Sequence, residues 1–234
     1  MIVYAIVPAR SGSKGLPDKN IKEIDGKPLI SYSIKFAKSI DSIDRVICST
    51  DSSKYAGIAK RYGAEVPFLR SDKASIDTAM EQDILEDLRS CFKKHDIPEP
   101  DILVWLRPTF VFRKKADIEK AISALKEDQN LSAARTVVES ENRLYRIKGE
   151  RLAPTFEDNG KSMMRRQDMP CDYKVFSTDI FRFKGSYLGD NFLGDNILAI
   201  RSNKVCGLDI DDLFDFSLVK SLVENTPELV NEFL

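Results

Sequence analysis

Short apolar runs alternate with segments of helical period through the first half of the chain, and this alternation restricts the fold more than any other feature. Ile2–Val7 is a continuous apolar stretch ended by Pro8, the pattern of a strand buried on both faces. Pro28–Lys38 follows at helical spacing, then the strand-like Arg45–Thr50. Ser52–Tyr62 places Tyr55, Ile58, Ala59 and Tyr62 on one helix face, with Gly63 as the stop. Val66–Leu69 reads as a third short strand. Thr78 and Glu81 form a T-x-x-E capping box that opens a long helix striped by Ile84, Leu85, Leu88 and Phe92. Asp101–Leu106 is a buried strand and Asp117–Leu125 a further amphipathic helix. This succession predicts an α/β fold of Rossmann-like, three-layer form, with a mainly parallel sheet covered on both faces.

The rhythm changes from about Ser132. Short strand-like pieces at Ala133–Val138, Leu144–Ile147, Lys174–Phe176 and Ile180–Phe183 surround a polar loop, which predicts an antiparallel excursion over about 139–172. Ile197–Ile200 and Lys204–Leu208 read as strands returning to the sheet, and Leu213–Val223 as a closing helix. A chain of 234 residues buries roughly 70% of its unfolded surface, so residues 1–234 read as one domain carrying an inserted arm.

Lys and Arg number 36 against 37 Asp and Glu, a net charge of −1, which argues against DNA, RNA or an anionic membrane as the main partner. No apolar run approaches the roughly 20 residues that span a bilayer. The N-terminus lacks the basic flank of a signal peptide, so the expected location is the cytoplasm. Cys48, Cys91, Cys171 and Cys206 form no CxxC pair and read as reduced thiols. His95, the sole histidine, sits in a polar Lys-Lys-His-Asp run and reads as a solvated side chain.

The strongest local signal is the loop after the first strand, Pro8-Ala9-Arg10-Ser11-Gly12-Ser13-Lys14-Gly15-Leu16-Pro17-Asp18-Lys19-Asn20. It leaves a strand end, where α/β proteins bind ligands. Gly12 and Gly15 permit close backbone approach to an anion, and Arg10, Lys14 and Lys19 supply charge. Neither a Walker A nor a G-x-G-x-x-G pattern is present, and on composition alone a flexible basic surface loop is the alternative. The opposite charge gathers at Leu208-Asp209-Ile210-Asp211-Asp212. Alternation puts Asp209 and Asp211 on one face, a pair suited to Mg²⁺ beside a phosphate site, while Asp212 fits an N-cap for the next helix. Arg165 and Arg166 suit oxyanion recognition or, equally, a solvated or dimer-interface basic pair. Arg107-Pro108-Thr109 marks another strand end in the same crevice.

The first loop resembles the N-terminal signature of the bacterial CMP-sugar-acid synthetases, cytidylyltransferases that activate sialic and related nonulosonic acids. Ser49-Thr50-Asp51, Tyr62–Arg70, Asp77-Thr78-Ala79, Arg166-Gln167 and Asp209-Ile210-Asp211 match in the same order, so the resemblance covers nearly the whole chain. It implies a nucleotide-diphospho-sugar transferase type of mixed, mainly parallel sheet with an inserted dimerisation arm at about 139–172. It also implies transfer of CMP from CTP to the anomeric hydroxyl of a 3-deoxy-2-ulosonic acid, with Mg²⁺ as cofactor and a homodimer as the assembly. Arg10, Ser13, Lys14 and Lys19 would hold the triphosphate, and Asn20, Arg70, Asp77 and Thr78 would build the cytidine pocket. Asp209 and Asp211 would bind metal, with Arg10, Lys19 and Asp211 nearest the chemistry. Arg107, Arg166, Gln167 and Lys174 fall on the acceptor side.

The departures lie on that side. Where the family usually carries Gln-Pro-Thr-Ser-Pro, this chain has Arg107-Pro108-Thr109-Phe110-Val111, which suggests an arginine on the acceptor carboxylate. Where it usually carries Arg and then Asn-Gly-Ala, this chain has Lys174 and Phe176-Ser177-Thr178. A related nucleotidyltransferase acting on a sugar 1-phosphate or phosphonate, or a nucleotide-binding protein without catalysis, are the alternatives.

Overall fold

A computed structural model describes residues 1–141, 144–155, 165, 168, 169 and 171–234. In chain order it forms β1 (Val3–Pro8), β2 (Glu23–Ile24), β3 (Lys27–Pro28), α1 (Leu29–Lys38), β4 (Arg45–Ser49), α2 (Ser53–Arg61), α3 (Glu81–Lys94), β5 (Ile102–Leu106) and α4 (Lys115–Glu127). There follow β6 (Ala133–Glu139), β7 (Tyr145–Lys148), β8 (Arg151–Pro154), β9 (Tyr173–Lys174), β10 (Thr178–Arg182), β11 (Ile197–Arg201) and α5 (Leu213–Asn225). Among the described residues the main sheet has the order β11-β6-β10-β5-β1-β4, with β9 added to β6. β4, β1 and β5 run parallel, as do β6 and β11, whereas β10 lies antiparallel to both its neighbours. The sheet is therefore mixed: helices make the crossovers among β1, β4 and β5, whereas among the described residues the parallel pair β6 and β11 is joined through strands.

Alternation along β1 divides the core into two layers. Val3, Ala5 and Val7 face α1, α2 and α4 through Ile30, Ile34, Tyr55 and Ile118. Tyr4 and Ile6 face the other side, packed with Leu85, Leu88 and Phe92 of α3. A third apolar cluster lies under α5, where Phe216, Val219 and Val223 meet Leu16, Ile24 and Ile210. That cluster joins the first loop to the 208–212 segment.

Three local expectations fail for identifiable reasons. Val66–Leu69 is not a strand: only Glu65 bridges to Ile47, Pro67 interrupts further pairing, and Arg70 N turns back to the Thr50 carbonyl at 2.8 Å. The long helix begins at Glu81 rather than at a Thr78–Glu81 box. Asp83 Oδ2 accepts from Met80 N at 2.8 Å, while Glu81 is drawn into an ion pair with Arg107. Lys204–Gly207 is a 3-10 turn, opened by Asn203 accepting from Val205 N at 3.0 Å. Gly207 there lies so close to Val138 that a Cβ would stand 2.3 Å from its Cγ2. Asp209 and Asp211 consequently leave a turn, not a strand end.

β7 and β8 form an antiparallel hairpin inside the stretch read as an arm, pairing Ile147 with Leu152. Both side chains are exposed, at 76% and 70%. No helix among the described residues is long and apolar enough to cross a membrane.

Candidate active site

The ends of β1 and β5 open into a cavity of about 550 Å³. Its described lining includes five cationic side chains, Arg10, Lys14, Lys19, Arg70 and Arg107, against the three carboxylates Asp77, Glu81 and Asp211. Most of this charge comes from the first loop, whose path is fixed by bonds to other elements. Ala9 N donates to the Ser49 carbonyl at 2.9 Å, and Ser11 donates through N and Oγ to the Asp51 carboxylate at 2.9 and 2.8 Å. Asp18 adopts the left-handed conformation at φ 54°, which Asp tolerates, and its carboxylate is held by Tyr55 Oη at 2.9 Å. The tyrosine and Lys54 bonds lower the Asp18 pKa. This turn delivers Lys19 and Asn20 to the cavity wall.

Arg10 and Lys14 converge on Asp77, at 2.8 and 2.5 Å, and those bonds hold its carboxyl below the usual range. Asn20 is buried and donates to the Arg10 carbonyl at 3.0 Å. Ser13 lines the cavity beside them. Arg70, 6% exposed, donates to Ser49 Oγ at 3.1 Å and to the Ser49 carbonyl at 2.8 Å. Its contacts pin the 70–74 loop to β4, and it reaches the cavity from behind. Thr78 is exposed and does not line the cavity.

The acidic turn meets the loop from the other side. Lys19 Nζ donates to the Ile210 carbonyl at 2.7 Å and to Asp211 Oδ1 at 3.3 Å. Gly15 approaches Asp211 so closely that a Cβ would lie 2.8 Å from the Asp211 carbonyl oxygen. Asp212 caps α5 by accepting from Phe214 N and Asp215 N, as its position suggested. Asp209 Oδ1 is buried without a hydrogen-bond partner among the described residues. Burial raises the Asp209 pKa and the like charge of Asp211 adds to it, partly offset by the Thr109 hydroxyl, Lys174 and Lys19. An orphaned carboxylate oxygen beside a second carboxylate fits a divalent cation. Among the described residues no group of three or more His, Cys, Asp or Glu gathers, so the pair suits an ion that fills its shell with water and phosphate, as Mg²⁺ does.

On the acceptor side, Lys174 does not line the cavity; it donates to the Gly207 carbonyl at 3.0 Å, near Asp209. Arg166 and Gln167 lie outside the described residues. Arg107 lines the cavity and is paired with Glu81 and Asp179. Sequence reasoning passed over Asp179, Arg135 and Arg113. Asp179 is 1% exposed and accepts from Arg135 Nε at 2.6 Å. Arg113, 2% exposed, donates to the Arg107 carbonyl, Thr178 Oγ1 and Ser33 Oγ at 2.6, 3.2 and 3.1 Å; burial pushes its pKa down to about 9. An acid beside Ile180-Phe181 and an arginine ending Phe110-Val111-Phe112 were the available signals, since charge in an apolar run demands a partner.

Residues 4–191 match the family model described as cytidylyltransferase. The pseudaminic acid cytidylyltransferase of Campylobacter jejuni serotype O:2 is 30% identical, over 93% of this chain and 94% of its own. The N-acylneuraminate cytidylyltransferase of Escherichia coli O18:K1:H7 is 30% identical over 92% of this chain, which spans only 51% of that longer protein. In fold, the chain superposes on a CMP:2-keto-3-deoxy-manno-octonic acid synthetase complexed with CTP, with a TM-score of 0.69 at 15% identity, over 97% of this chain and 100% of that one. A basic loop closed onto an acidic turn at the end of a mixed sheet, and a match over most of its length, make this chain a member of the cytidylyltransferase family.

Proposed function

We propose that the protein transfers CMP from CTP to the anomeric hydroxyl of a 3-deoxy-2-ulosonic acid of the sialic type, releasing pyrophosphate. The observation that carries this reading is the closure of the Arg10–Lys19 loop onto Asp209 and Asp211, at the Lys19–Asp211 contact of 3.3 Å. A cavity with surplus cations at one wall and a paired carboxylate site beside it suits a nucleoside triphosphate. The C. jejuni and E. coli relatives, by their names, act on pseudaminic and N-acylneuraminic acids, which supports a sugar acid as the second substrate.

In this reaction the acceptor hydroxyl oxygen forms a bond to the α-phosphorus, the bond to pyrophosphate breaks, and the hydroxyl proton is released. Arg10, Lys14 and Lys19 bind and orient the phosphates, with Ser13 and Asn20 shaping the loop around them. On binding, the triphosphate replaces Asp77 as the partner of Arg10 and Lys14. Arg70, Asp77, Ala79 and Met80 frame the cytidine side. Asp209 and Asp211 hold Mg²⁺, which supplies charge neutralisation at the phosphates. The exposed Ile147 and Leu152 of the hairpin support reading about 139–172 as an arm that docks on a second copy, with residues 1–234 as one domain in a cytoplasmic homodimer. Incubation with CTP, Mg²⁺ and N-acetylneuraminate, pseudaminic acid or 2-keto-3-deoxy-manno-octonic acid, followed by ³¹P NMR, tests the assignment. A CMP phosphodiester is expected from at least one acid; products formed only from sugar 1-phosphates would displace the reading.

A further inference from the structure

Arg107 faces the cavity with its guanidinium already engaged on every nitrogen. Nε and Nη2 donate to Glu81 Oε1 at 3.1 and 2.8 Å. Nη1 donates to Asp179 Oδ2 at 2.9 Å and to the Phe176 carbonyl at 2.8 Å. Asp179 is shared with Arg135, whose Nε reaches its other oxygen at 2.6 Å. Two guanidiniums and two carboxylates thus cancel, and no net cation remains for a substrate carboxylate.

Both arginines also bear on one residue. Their guanidinium carbons stand 5.3 and 5.1 Å from the centroid of the Phe176 ring. Phe176 holds φ at 91°, a region that costs a bulky residue about 1–3 kcal/mol and persists only where neighbours fix it. The stacking and the carbonyl bond of Arg107 supply that fixation, immediately before the buried Ser177 and Thr178. Arg107 and Phe176 are 69 positions apart in sequence, so the bond between them ties distant parts of the chain.

We propose that Arg107 is a positioning residue for the second substrate and not a ligand to its carboxylate. It ties the first turn of α3, through Glu81, to β10, through Asp179, and holds the strained turn at Phe176. The inference rests on the cytidylyl-transfer reading, which gives the wall of residues 10–20 and 209–211 to the triphosphate and leaves Trp105, Arg107 and Glu81 for the acceptor.

The test compares Arg107→Lys, Arg107→Gln and Arg107→Gln combined with Phe176→Gly, using the sugar acid that the wild type turns over. A multi-way strut needs the planar fork, so lysine should fail as glutamine does; because a bidentate carboxylate ligand also loses its fork in lysine, the recovery on adding Phe176→Gly is what separates the strut from the ligand. Both single variants should raise the acceptor KM, lowering kcat/KM for it by about 10–100-fold, with the CTP KM unchanged. Adding Phe176→Gly should recover part of the loss, because glycine adopts positive φ without strain. Near-wild-type kinetics in Arg107→Lys beside a loss in Arg107→Gln would overturn the proposal in favour of a direct ligand. A lowered melting temperature with an unchanged acceptor KM would also overturn it. Wild-type protein inert toward every sugar acid removes the cytidylyl-transfer reading and this inference with it; active wild type with unaffected variants removes this inference alone.

Discussion

Lys19 donates to Asp211 Oδ1 at 3.3 Å across 192 positions of sequence, and the same ammonium holds the Ile210 carbonyl at 2.7 Å. The basic loop and the acidic turn are therefore one unit, with Gly15 packed against the Asp211 backbone between them. Under the proposed transfer, removing either charge removes a preorganised contact at the phosphates. Lys19→Met and Asp211→Asn should each lower kcat by about 10²–10³, measured as pyrophosphate release. Asp209→Asn should raise the Mg²⁺ concentration giving half-maximal rate, and chelation should abolish turnover. An Asp209→Asn enzyme with an unaltered magnesium requirement would place the metal elsewhere.

The glycines of the loop are not equivalent. A Cβ on Gly15 would press 2.8 Å from the Asp211 carbonyl oxygen, whereas one on Gly12 would meet nothing within 4 Å. Gly15→Ala should push the loop off the acidic turn, costing about 1–3 kcal/mol of stability and most of the CTP-dependent rate. Gly12→Ala should leave the melting temperature unchanged. Equal melting temperatures for the two variants would show that the close approach does not exist in solution.

At the start of α3 the cap is made by Asp83 and not by Thr78. Asp83→Ala should cost about 1 kcal/mol, because it leaves Met80 N without its acceptor. Thr78→Ala should be silent in denaturant unfolding. The reverse pattern would restore the T-x-x-E box.

Thiol chemistry reads the burial pattern directly. Burial pushes the Cys48 thiol up to about 12 and raises that of Cys206, and both lie in the core, so neither should react in the native protein at pH 8. Cys91 is partly buried and raised by burial, and should react slowly, while the exposed Cys171 should label at once. Mass spectrometry after timed alkylation gives the order; early labelling of Cys48 would contradict the position of β4.

What could be read from the sequence was local in it. The loop from Pro8 to Asn20 carries its glycines, cations and strand end within thirteen consecutive residues, and Asp209-Ile210-Asp211 is contiguous, so both charge clusters were visible before any fold. What could not be read depends on pairing across the sheet. Asp179 becomes meaningful only when antiparallel β10 sets it opposite Trp105 of β5 and Arg135 of β6. The failed local readings have different causes. Pro67 and Asn203 followed their own tendencies, one ending a pairing and the other opening a turn, whereas Glu81 was taken by Arg107, 26 positions away.

The most direct measurement is pyrophosphate release from CTP and Mg²⁺ with and without a sugar acid, run beside sugar 1-phosphates. Cytidylyl transfer to a sialic-type acid predicts release that depends on the sugar acid, matches CMP-sugar formation one for one, and is lost in Asp211→Asn. Release only with a sugar 1-phosphate, or CTP binding without turnover on any acceptor, would contradict it.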